Sequence, residues 1–175
     1  MKKSDFKTAI SLAVFVISLA ILMGGYQLYT KYMIINPVIQ QLEARPAIAN
    51  VELSRVEGQF EVAVQLQEVD NLQQEYQAIQ EALDNTLKKG AYKLIITDPQ
   101  DEMLQQAYLH LQPAIYEAAA NHSFVWLDQT LGQYAVENGI SYHLYVDDRY
   151  LYLHLADGEN SMYRVIELKS SQNIT

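Results

Sequence analysis

Five residues near the C-terminus have the most chemical reach: His143, Tyr145, Tyr150, Tyr152 and His154. Their neighbourhood alternates polar and apolar side chains, the period of a half-buried strand. Pairing 140–146 with 149–156 across Asp147-Asp148 puts Ser141 and all five on one face. Tyr142, Leu144, Val146, Leu151 and Leu153 fall on the other. A one-residue slip would mix the faces, so the clean split supports the pairing. On this register His143 and His154 lie diagonally, about 7–8 Å apart at the backbone. Two imidazoles with Asp147 or Asp148 could hold a metal ion. The spacing fits no His-x-His or His-Glu-x-x-His pattern, however, and two solvated histidines explain it more simply. No metal ligand and no cofactor is assigned. The tyrosines are the stronger signal, because Tyr contributes rigid area and a hydroxyl to protein interfaces. The competing expectation is that a helix covers this face and makes it core.

Other candidate chemistry reduces to structure. Asp147-Asp148 fits a turn, and Asp98, Asp101 and Glu102 fit the start of a helix. Neither carboxylate group has the spacing of a calcium loop. No Gly-x-Ser-x-Gly nucleophile elbow and no glycine-rich phosphate loop occurs. With no cysteine in the chain, thiol nucleophiles, thiolate metal sites and disulfides are excluded. No catalytic residue is assigned, and the expectation is a non-enzyme.

The elements that position these residues follow from periodicity. Val51 and Leu53, then Phe60, Val62, Val64 and Leu66, alternate with polar neighbours around a Glu57-Gly58 turn, predicting two strands. Asp70, with Gln73 three residues on, reads as the cap of a helix striped by Leu72, Tyr76, Ile79, Leu83 and Leu87. Lys88-Lys89-Gly90 closes it. Residues 92–97 read as a central strand. Asp98-Pro99 opens a helix with Leu104, Tyr108, Leu111 and Ile115 on its apolar side. Pro113 inside it predicts a kink or two abutting helices. A further helix runs from about 123 to 138, with Trp126 expected in the core, and Gly139 ends it. Residues 140–146, 149–156 and 162–168 predict a three-stranded meander. The order ββαβααβββ predicts an α+β domain with one mixed or antiparallel sheet of about six strands and helices on one face.

The N-terminal segment is of another kind. Thr8 to Thr30 carries no charge over 23 residues. At about 1.5 Å per residue this spans roughly 34 Å, enough for a bilayer core. Tyr26 and Tyr29 suit the interface. A cleaved signal peptide shares the basic start, but the run is long and no Ala-x-Ala site follows. The expected organisation is a cytoplasmic segment 1–7, a membrane helix 8–30, a helical linker 31–46 interrupted by Pro37, an extracytoplasmic domain 47–169 and a tail 170–175. Orientation follows from Lys2, Lys3 and Lys7 before the span against Lys31 after it. Ala13, Ala20 and Gly24 lie near one stripe, which would let two such helices approach closely.

Net charge is −9 over 175 residues, unevenly placed. Residues 1–45 carry five basic and two acidic groups, whereas 46–175 carry seven basic and nineteen acidic. So acidic a body argues against nucleic acid as a partner. The expected partners are the lipid bilayer, through 8–30, and another membrane or envelope protein or a second copy of the chain. The expected function is a cell-membrane-anchored, single-pass interaction or assembly module. A ligand- or metal-sensing domain that signals through the helix is the alternative, and an envelope hydrolase comes last.

Overall fold

A computed structural model of the chain describes residues 3–98, 101–158 and 160–168, and side chains from residue 14 onward within these, apart from Gln27. Helix α1 (Lys3–Thr30) continues through a π-helical turn (Lys31–Ile35) into α2 (Asn36–Glu43). Pro37 explains that turn. A proline has no N–H to donate, and its ring crowds the carbonyl four residues back. The wider turn, with the Asn36 N–H donating to the Lys31 carbonyl, absorbs the misfit without ending the helix. Among the described residues one helical run, Val14–Glu43, is long and apolar enough to cross a membrane. Val14, Phe15, Ile17, Leu19, Ile21 and Leu22 are all exposed on it.

Strands β1 (Ile48–Val56) and β2 (Gln59–Leu66) form an antiparallel hairpin. Its two-residue turn, Glu57-Gly58, has positive φ at both positions, the twist that suits a tight hairpin. Helix α3 (Leu72–Thr86) crosses to β3 (Tyr92–Thr97), which pairs parallel to β2. Helices α4 (Glu102–Asn121) and α5 (Phe124–Asn138) follow. The chain ends in the antiparallel meander β4 (Ser141–Val146), β5 (Tyr150–Asp157) and β6 (Asn160–Glu167).

The fold is α+β with the expected order of elements, but the strands do not make one sheet. They form two three-stranded sheets, β1-β2-β3 and β4-β5-β6. Strand β3 is therefore an edge and β2 the centre. Strand β6 lies beside β3, and side chains join them where a ladder would. Asp98 Oδ1 accepts the Tyr163 backbone N–H at 2.8 Å, and Oδ2 pairs with Arg164. The Tyr163 hydroxyl donates to the Gln67 carbonyl at 3.1 Å and accepts from the Val69 N–H at 3.2 Å. These hydrogen bonds join the sheets at one end.

Helices cover both faces of the second sheet, not one. Leu151, Leu153 and Leu155 meet Leu104, Leu111, Ile115, Leu127 and Leu131 of α4 and α5. Tyr152 and Tyr163 join the other cluster, with Val62 and Val64 of the first sheet and Tyr76, Ile79 and Leu83 of α3. Val38 and Leu42 of α2 are 1% exposed in that cluster, so the core reaches back before residue 47. The membrane-type helix is thus continuous with an element packed inside the domain.

Several local expectations move. The cap of α3 is Asn71, not Asp70, and it accepts the Gln74 N–H. The cap of α4 is Asp101, because Asp98 has turned toward β6. Pro99 lies outside the described residues. Pro113 sits within one continuous helix, and the break comes at His122, which adopts the left-handed region. Trp126 is exposed, and Phe124, Leu127 and Leu131 make the packed side of α5. The tail 170–175 and residues 1 and 2 lie outside the described residues.

Candidate functional site

The meander register differs from the simple turn by two residues. The Asp147 N–H donates to the Tyr150 carbonyl, which encloses Asp148-Arg149, and Val146 pairs with Leu151. A shift of two preserves the faces. His143 therefore stands directly opposite His154, with rings 5.7 Å apart.

The structure divides the predicted face. His143 is exposed. His154 is buried, stacks on Tyr163 at 4.5 Å and has Nε2 3.0 Å from Ser161 Oγ. Burial and the neighbouring His143 ring push its pKa down to about 4. It is a neutral core imidazole. Among the described residues no three His, Asp or Glu side chains converge on one point. Tyr145 is half-buried. Tyr152 is fully buried beneath α3, packed edge-on against Tyr76 with ring centres 5.6 Å apart. Its hydroxyl donates to Asp147 Oδ2 at 2.7 Å. Burial pushes Asp147 up, but bonds from Tyr152, from the Arg149 and Tyr150 N–H groups and from Gln77 outweigh it, leaving its pKa below the usual range.

Tyr150 alone of the five leads out to an open site. It lines a cleft of about 480 Å³ between the two sheets, at the end away from Asp98. Tyr92 and Leu94 of β3 form one wall and Val165 and Glu167 of β6 the other. Tyr76, Gln80 and Asp84 of α3 form the floor. Gln59, Lys89, Lys93 and Arg149 stand at the mouth. The side-chain hydrogen bonds of Asp98 and Tyr163 join the sheets at the far end, and the cleft opens at this one.

Its groups hold one another in place. The Tyr92 hydroxyl donates to Asp84 Oδ1 at 2.8 Å and to the Gln80 carbonyl. Burial, then the bond to Asp84, pushes the Tyr92 pKa up. Tyr76 is likewise raised, by burial and by Tyr150. Both phenols stay protonated at neutral pH. Arg149 lies over the Tyr150 ring at 5.2 Å. The lining has no Ser, Cys or His. It offers aromatic faces, phenol donors and charges of both signs.

Sequence reasoning finds Tyr150 here and misses the rest. Tyr76 reads as a core stripe and Tyr92 as the first residue of a strand. Only the gap between the sheets turns them into a lining. On the membrane-type helix, Ala20 is exposed and nothing lies within 4 Å of a Cβ built at Gly24. The Ala13 side chain is outside the described residues. No protein-family model, curated protein or solved structure matches the chain.

Proposed function

We propose that this chain is a single-pass membrane protein whose extracytoplasmic domain binds a segment of another protein in the cleft between its two sheets. The observation that carries this reading is the cleft itself. Two strand edges, β3 and β6, flank it, and strand edges are where extended peptides add to a sheet. Tyr76, Tyr92 and Tyr150 supply the aromatic surface favoured at protein interfaces. Lys89, Lys93, Arg149, Asp84 and Glu167 supply charges of both signs to set partner and register. The helix of the anchor continues into α2, whose Val38 and Leu42 share a core cluster with Tyr76 of the cleft.

The positive-inside bias supports an orientation with the N-terminus in the cytoplasm and the domain outside. An impermeant maleimide tests this with Gln133→Cys, an exposed position on α5. Labelling of intact cells is expected, whereas labelling only after lysis would contradict the orientation. Partner binding is tested by purification from native membranes in mild detergent. A stoichiometric protein is expected with the unchanged chain and not with Lys93→Glu/Tyr150→Ala. A preparation without any companion protein would count against the reading.

The volume also falls in the range of small-molecule sites, about 300–1,000 Å³. That size favours a second reading, a ligand-sensing domain. A small ligand that binds only the folded state must raise the unfolding midpoint.

A further inference from the structure

We infer that the β1–β2 hairpin end of the domain rests on the phosphate headgroup layer of the bilayer that α1 crosses. The inference depends on reading α1 as a membrane span, and it adds a second contact with the lipid.

The first observation is the position of the hairpin tip. Arg55 Nη1, next to the turn, donates to the Tyr26 hydroxyl at 3.1 Å. Thr30, one turn further on, is buried and donates to the Tyr26 carbonyl. The hairpin therefore reaches back along the helix to its apolar part. A guanidinium in hydrocarbon is strongly disfavoured, so Tyr26 marks the interface and not the interior. Residues 8–25 remain for the hydrocarbon, about 27 Å, which matches a bilayer core of about 30 Å. Tyr26, Tyr29 and Tyr32, all exposed, then form the interfacial belt.

The second observation is charge. Loop 87–91 sits beside the tip, since the Phe60 N–H donates to the Ala91 carbonyl and Gln59 Nε2 to the Gly90 carbonyl. Arg55, Lys88, Lys89 and Lys93 thus gather at this end, with Glu57 and Glu61 at the tip and Asp84 and Glu167 in the adjoining cleft. They are four of the seven basic residues in a region whose net charge is −12. Glu68, Asp70, Asp98 and Asp101 lie toward the other end, around the contacts of Tyr163 and Asn160. Most cations of the domain thus lie at the end where lipid phosphates would meet them. Val56, exposed at the tip, suits shallow insertion.

The test uses the full chain in vesicles of phosphatidylcholine and phosphatidylglycerol. A fluorophore is placed at Val56→Cys, Glu68→Cys or Leu19→Cys in this cysteine-free sequence. Lipids carrying a nitroxide on the headgroup or deep in the acyl chain then quench it. The Val56 label is expected to lose severalfold more emission to the headgroup nitroxide than the Glu68 label does. The Leu19 label is expected to respond to the acyl-chain nitroxide. Quenching at Leu19 with Val56 no more quenched than Glu68 overturns the docking and leaves the span intact. No quenching at Leu19 overturns both. Lys88→Glu/Lys89→Glu/Lys93→Glu is expected to reduce the Val56 signal; an unchanged signal would overturn the electrostatic part.

Discussion

Asp98, just past the end of β3, accepts the backbone N–H of Tyr163 in β6 at 2.8 Å. One carboxylate thus takes a donor that a neighbouring strand would otherwise take, and it also holds Arg164. Burial pushes the Asp98 carboxyl up, while the Tyr163 N–H and the Arg164 guanidinium pull it down. The join is local, and the sheets part beyond it to form the cleft.

Asp98→Ala removes both contacts and leaves a half-buried guanidinium and a strand N–H without their acceptor. The expected cost is about 2–3 kcal/mol. Denaturant unfolding followed by near-ultraviolet circular dichroism, which reports the packed tyrosines, measures it. Asp98→Asn, which keeps one acceptor, should cost less.

His154 predicts a pH dependence. Its folded pKa of about 4 lies below the ordinary value of 6.5. Between these values the unfolded chain binds the extra proton, so stability rises with pH through the window and falls as pH drops from 6.5 to 4. The expected loss is about 2 kcal/mol after partial screening by solvent. His154→Phe, which keeps the stack on Tyr163, should flatten that part of the curve. Unfolding midpoints at pH 4.5 and 7.5 for both chains decide it.

Tyr152→Phe removes the hydroxyl that donates to Asp147 at 2.7 Å. A hydrogen bond to a charged group contributes about 1.5–3 kcal/mol. The same change should move the Asp147 pKa up toward the ordinary carboxylate value. Carboxyl-carbon NMR titration reads that movement directly.

Leu42→Ala tests whether α2 belongs to the core. Leu42 is 1% exposed, so the change should cost about 2–5 kcal/mol. Gln40→Ala, on the exposed side of the same helix, should cost little. Equal, small effects would place the start of the folded unit at β1.

Much of this architecture is legible from local pattern. Leu72, Tyr76, Ile79 and Leu83 are all buried on α3 at helical spacing. The two faces of the meander come out correctly although its register moves by two, because side-chain direction depends only on parity. The caps of α3 and α4 are harder to place, since several Asp and Asn residues near a helix start compete for one role. Asp98 has the chemistry of a cap but turns to a strand 65 residues away. The split of the sheet depends on whether β3 and β6 form a ladder, and neither strand records that in its own residues. The cleft inherits the difficulty: its lining comes from five elements, each with an adequate local explanation. The tyrosine face shows the same limit, because burial of Tyr152 and exposure of His143 are settled by where α3 lies.

The most direct test of partner binding is photocross-linking in native membranes. A photoreactive amino acid at Lys93, at the mouth of the cleft, is compared with one at Gln133 on the outer side of α5. One discrete adduct heavier than the monomer is expected from Lys93 and none from Gln133. Monomer alone from both positions, in membranes where the protein is folded and correctly oriented, would contradict it.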